Sequence, residues 1–229
     1  MIEWDHNTHY HKLLFSKLPE TRDFALDVGS GFGLFSFKLT SLFKAVLSLE
    51  PDKGSIDFQK SKYETQDNIT FVEDSFLKHD FKGQKFDFIS AIASIHHMDF
   101  VPALIKIKAL LKPGGKMVIS GLYKESSIFD YIISIIAFFP NLFMTFLFRK
   151  GKDCNCEMIT VTPETSIKDI KQLSKLILNN CQLNRLLFWR YLLVYEKPCS
   201  QQSKITIHNS DGKYRYIRRC LAGSRHTIT

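Results

Sequence analysis

Cysteine is sparse and unpaired in pattern: Cys154, Cys156, Cys181, Cys199 and Cys220 are odd in number and form no C-x-x-C unit. A disulfide scaffold is not expected, and the cysteines read as free thiols. Cys154 and Cys156 lack a nearby histidine or a second cysteine pair to complete four ligands, so no metal is expected. A secretory leader is missing as well, because Trp4, Asp5, His6, His9 and His11 occupy the place of a basic segment followed by an apolar one. A cytoplasmic location is the expectation. A one-signed charge field is also absent from most of the chain. The formal net charge is +8, yet residues 199–229 hold six Lys/Arg against one Asp, leaving 25 basic and 22 acidic residues before them. That near balance argues against nucleic acid as the partner.

What the chain does have is enough apolar material for one large core, 45% of 229 residues. Phe24 to Val28 is a continuous apolar run broken only by Asp27, and it enters the turn Gly29-Ser-Gly-Phe-Gly33. After the turn, Phe35, Leu39 and Leu42 recur at helical spacing, so the turn joins a buried strand to a helix. Bare backbone N–H groups at such a turn accept close approach by a ligand. One strand further on, Leu47-Ser-Leu-Glu50 ends in a carboxylate placed to accept both hydroxyls of a ribose. The glycine spacing separates the nucleoside cofactors. A pyrophosphate-binding G-x-G-x-x-G needs glycine at 34, where the chain has Leu34, and a dinucleotide is disfavoured.

The run from Ala25 to Gly33, with Asp27 before the glycines, resembles motif I of the class I S-adenosylmethionine (SAM) dependent methyltransferases. Four further segments follow in that family's order: Ala45–Glu50, Phe71–Phe76, Phe86–His97 and Leu110–Ser120. The N-terminal Trp4–His11 and the late Leu186–Tyr195 are similar to a subgroup of small bacterial members, of the methyltransferase type 11/12 kind, whose substrates are largely uncharacterised. The resemblance covers residues 1–198. It implies an α/β fold with a Rossmann-like, seven-stranded, mostly parallel sheet, helices on both faces and the last strand antiparallel. It also implies a cofactor pocket built from Asp27, Gly29, Ser30, Gly31, Gly33, Glu50, Pro51, Asp74, Ser75, Phe76, Ala91 and Tyr10. In that arrangement Asp27 reaches the methionine amino group directly or through water, Glu50 holds the ribose, and Asp74 meets the adenine amino group with Glu73 as fallback. Ser30 stands where many relatives carry Cys, a swap of similar volume.

The implied reaction is in-line transfer of the SAM methyl group to a small, apolar acceptor, with S-adenosylhomocysteine as the product. No enzyme nucleophile is needed. For a hydroxyl or acidic-carbon acceptor a base helps, and His96 and His97 after the fourth strand are the first candidates, with His9, Tyr10 and His11 as alternates. Base methylation is disfavoured: no Asp/Asn-Pro-Pro-aromatic follows the fourth strand, and no cysteine lies between residues 30 and 150. An RNA methyltransferase and a catalytically inactive SAM-binding interaction or sensor protein stand as alternatives.

Residues 122–160 read as an apolar insertion, with Ile128–Phe148 interrupted by Asp130 and Pro140. Two helices hinged at Pro140 and capping the acceptor pocket are favoured over a membrane span. Arg149, Lys150 and Lys152 would also suit peripheral membrane contact. Ile167, Ile170, Leu173, Leu176 and Ile177 mark a last core helix. Residues 199–229 form a basic tail, read either as a hairpin about Asp211-Gly212 or, preferably, as a disordered or non-native extension. Oligomeric state is not legible.

Overall fold

A computed structural model describes residues 8–124, 163–187 and 189–199, together with the backbone of two short strands at 205–208 and 214–217. Most of the 122–160 insertion, the far N-terminus and most of the basic tail lie outside the described residues, and with them the two-helix cap and its basic flank.

Seven strands form one sheet: β1 (Phe24–Val28), β2 (Ala45–Glu50), β3 (Ile69–Glu73), β4 (Phe86–Ile92), β5 (Leu111–Leu122), β6 (Gln182–Arg185) and β7 (Arg190–Glu196). Their order is β3-β2-β1-β4-β5-β7-β6. Strands β1 to β5 run parallel, while β7 is antiparallel to both β5 and β6. Helices α1 (His11–Phe15), α2 (Leu34–Thr40), α3 (Lys53–Lys62), α4 (Phe100–Leu110) and α5 (Ile167–Ile177) complete the described body.

The central strands are buried on both faces because helices cover both, which is why β1 and β4 read as apolar runs without alternation. One cluster packs Leu26, Ile89, Leu104, Ile107, Ile119 and Leu193 beneath α4 and α5. The other gathers Tyr10, Leu14, Phe35, Leu39, Phe88 and Leu192 beneath the N-terminal segment and α2. Strand order reverses between β1 and β4, the two strands that pair at the centre. Crossovers leaving β1 and β4 diverge there, and a crevice opens beyond their carboxyl ends.

The opposite end of the sheet is stapled. Asp87 on β4, 3% exposed, accepts the N–H groups of Asp23 and Phe24 at 3.1 and 2.8 Å and pairs with Lys112 Nζ at 2.8 Å. Lys197 is pinned to the turn in β5, accepting from Gly114 N and donating to Gly115 O.

One expectation changes: Cys199 is disulfide-bonded rather than a free thiol, whereas Cys181 is free. In the tail, Ile205–His208 pair antiparallel with Tyr214–Ile217 in a separate two-stranded sheet.

Candidate active site

The glycine turn leaves β1 with Gly29 N and Ser30 N both donating to Leu49 O, at 2.8 and 3.2 Å, which ties it to the end of β2. Gly29, Gly31 and Gly33 have φ of 66°, 55° and 75°, a region that penalises side chains. Their surroundings differ. A Cβ on Gly29 would collide with Ser94, and one on Gly33 would meet the Gln59 side chain, whereas one on Gly31 would meet nothing within 4 Å. Gly29 and Gly33 therefore serve packing, and Gly31 alone of the three faces open space.

Glu50 stands beside that opening. Its Oε2 accepts from Gly31 N at 2.9 Å and its Oε1 from Asp52 N at 3.1 Å, so both oxygens are oriented while each keeps a further accepting position. An open glycine and a held carboxylate with spare capacity on both oxygens fit a ribose diol. Pro51 follows on the exposed surface, and Asp52 caps α3 by accepting from Ser55 N at 2.7 Å.

Behind the turn runs a polar chain that sequence reading missed. Asp27, 2% exposed, has Ser36 Oγ 2.6 Å from Oδ2 and Ser90 Oγ 2.8 Å from Oδ1. Ser36 Oγ lies 3.0 Å from Ser48 Oγ, and Ser48 Oγ 2.6 Å from Gln59 Oε1. Gln59 Nε2 then donates to Ser30 Oγ at 2.9 Å and Gly31 O at 2.5 Å. Burial, opposed by its hydroxyl partners and aided by the Glu50 charge, pushes the Asp27 carboxyl up to about 6. Asp27 thus lies inside the fold, engaged by serines, and the structure does not bring it to the open side of the turn. The signal for these partners was weak: single serines and a glutamine on four different elements.

The adenine-side candidates separate in the same way. Asp74 is partly exposed after β3, accepts from Ser75 N at 2.7 Å and pairs with His79 Nδ1 at 2.8 Å. His79 and that backbone N–H hold its carboxyl below the usual range. Phe76 (3% exposed) packs against Phe81, and Ala91 (0%) lies within β4, so both contribute from the core side. Lys106 fixes this loop by donating to Leu77 O and His79 O at 3.0 and 2.7 Å.

Tyr10 is turned inward, its hydroxyl donating to Leu187 O at 3.0 Å, which clamps the N-terminal segment onto the hairpin before β7. Buried His11 packs against Phe15 and Phe35, and Lys38 Nζ lies 3.1 Å from its Nδ1. These alternates hold structure together.

His96 and His97 form a short 3-10 turn after β4, with ring centroids 4.0 Å apart. Both line one cleft of about 540 Å³, together with Ile95, Met98, Phe100 and Tyr191. Their rings are tilted by 39° to one another. Burial first, then the neighbouring His97 and Arg190, lowers His96 to about 4, so its ring is neutral at ordinary pH. His96 Nδ1 is buried without a hydrogen-bond partner among the described residues.

An open glycine and a backbone-held carboxylate at the switch point of a doubly wound sheet are the kind of place where an α/β protein takes a nucleoside cofactor. The family model described as a methyltransferase domain matches residues 26–119. An uncharacterized methyltransferase of Mycobacterium tuberculosis is 22% identical over 85% of this chain and 98% of its own length. A putative methyltransferase of Dictyostelium discoideum is 27% identical over 50% of this chain, which spans only 42% of that protein. Among solved structures, N-methyltransferase NodS from Bradyrhizobium japonicum WM9 in complex with S-adenosylhomocysteine superposes with a TM-score of 0.57, at 12% identity, covering 83% of this chain and 86% of that one. Residues 26–119 thus match a methyltransferase domain, and the relatives and solved folds this chain resembles include SAM-dependent methyltransferases.

Proposed function

We propose that this protein transfers the methyl group of SAM to a small, predominantly apolar acceptor held in the cleft beside His96 and His97. The observation that carries the reading is the buried Nδ1 of His96, without a hydrogen-bond partner among the described residues, in a cleft lined by Ile95, Met98, Phe100, Leu122, Ile170 and Tyr191. Apolar walls with a few polar groups are what a small-molecule site requires.

Glu50 and the Gly31 backbone hold the ribose end, and Asp74 stands on the adenine side. Bound SAM supplies an electrophilic methyl on a sulfonium and leaves as a neutral thioether. The protein's part is alignment and exclusion of water, since a displacement of this kind needs near-attack geometry more than a nucleophilic side chain. His96, neutral because of its burial, is the group that takes a proton from a hydroxyl or acidic-carbon acceptor. His97, exposed at the cleft wall, orients the acceptor.

Calorimetry with SAM, followed by a labelled-methyl screen of metabolite extracts, tests the reading. Label entering an apolar small molecule, lost in His96→Ala with cofactor affinity intact, is the expected result. Label confined to RNA or protein, or tight SAM binding with no transfer to any extract, would replace it.

A further inference from the structure

Three contacts run in series from Asp27 to Gln59, and their protons can be counted. Gln59 is fixed in orientation, because its Nε2 faces the Gly31 carbonyl, which only accepts, so Oε1 toward Ser48 is an acceptor too. Ser48 must therefore give its hydroxyl proton to Gln59. If Ser36 gives its own to Asp27, the Ser36–Ser48 contact at 3.0 Å has no proton at all. Two hydroxyl protons cannot serve three contacts among buried groups. A third proton, on Oδ2 of Asp27, completes the series: Asp27 to Ser36, Ser36 to Ser48, Ser48 to Gln59. Without it, the Ser36 and Ser48 oxygens face each other at 3.0 Å with no proton between them.

We propose that Asp27 is a protonated carboxylic acid in the cofactor-binding form and acts, through Ser36, Ser48 and Gln59, as a positioning residue for the Ser30–Gly31 turn. The proton count stands on the hydrogen bonds alone; its consequence for affinity rests on the turn being the SAM site. Mechanically the link is direct, since Gln59 Nε2 holds Ser30 Oγ and Gly31 O, and Gly31 N in turn orients Glu50. The elements packed on Asp27 present the hydroxyls of Ser36 on α2 and Ser90 on β4 and the Ser36 backbone N–H, and the charged side chain acting on it is Glu50 of β2, which favours the neutral acid.

The sign follows from that. A carboxyl raised from 3.8 to about 6 keeps its proton at acid pH and releases it as pH climbs through 6. SAM binding is then tightest below about pH 6 and weakens above it, about tenfold by pH 7 and about a hundredfold by pH 8. Asp27→Asn supplies an N–H donor that cannot ionise, so it restores the series at every pH.

The test is calorimetric SAM affinity against pH for native protein and Asp27→Asn, with infrared difference spectra of the two. Expected are an Asn variant that binds like the acid form of the native protein at all pH values, and a native carboxylic-acid band that disappears near pH 6. Affinity about tenfold weaker in a folded Asn variant at every pH would make the ionised carboxylate a direct ligand and overturn the proposal. An unchanged pH profile in that variant would do so as well. Should Asp27→Asn not fold, infrared titration of native protein with carboxyl-labelled aspartate decides: no acid band in the folded protein at about pH 5 refutes the proton. Absence of SAM binding by native protein would fail the functional reading instead, leaving the infrared result to judge Asp27.

Discussion

Glu50 organises the backbone N–H groups of Gly31 and Asp52 and, in the proposed function, offers its remaining lone pairs to the ribose diol. Each charge-assisted hydrogen bond contributes about 1.5–3 kcal/mol, so Glu50→Ala should weaken SAM binding tenfold or more, read by calorimetry. An unchanged dissociation constant would contradict the ribose assignment. Gly29 carries a different burden. Its φ of 66° and the Ser94 side chain against it leave no room for a methyl, so Gly29→Ala is expected to lower unfolding stability by about 2 kcal/mol in urea melts. For His96, the folded value of about 4 lies below the ordinary 6.5. The fold favours the neutral ring; its contribution to stability is complete above about pH 6.5 and drains away as pH falls toward 4. Transfer at saturating cofactor should accordingly stay flat on the acidic side down to about pH 5 and fall below it as the His96 ring takes up a proton, read from the pH dependence of kcat.

At the level of elements, strand ends do the positioning. Asp87 joins the start of β1 to β4 and to Lys112 of β5, far from the cleft at the other end of the sheet. Breaking a buried pair strands the remaining groups, so Asp87→Ala should cost about 3–5 kcal/mol of stability while native-state SAM affinity stays nearly constant. A large loss of affinity with unchanged stability would show that the staple shapes the cleft. The strand-turn-helix unit at 24–40 was legible because its signals are local: an apolar run, three glycines, then a helical repeat. The serine chain behind it was not, since Ser36, Ser48 and Ser90 become partners of Asp27 and of one another only when α2, β2 and β4 are packed together.

For the whole molecule, the catalytic body and the basic tail are separable in topology, with seven strands in one sheet and the 205–217 hairpin in another. Truncation after Pro198 retains every strand of the larger sheet and the Lys197 clamp on β5. SAM affinity should change less than about twofold in the truncated chain, because none of the described cofactor-side groups is removed. A greater loss would give the tail a part in the site.

The order of apolar runs, the glycine triplet and the acid one strand later determined by themselves the fold class and the kind of cofactor, because each is written in local spacing that the backbone obeys directly. Which groups face the ligand was a tertiary decision. Packing turned Phe76, Ala91, Tyr10 and Asp27 inward, left Gly31 and Glu50 open, and buried His96 until its ring is neutral, since burial and charge belong to neighbours that sequence distance does not reveal.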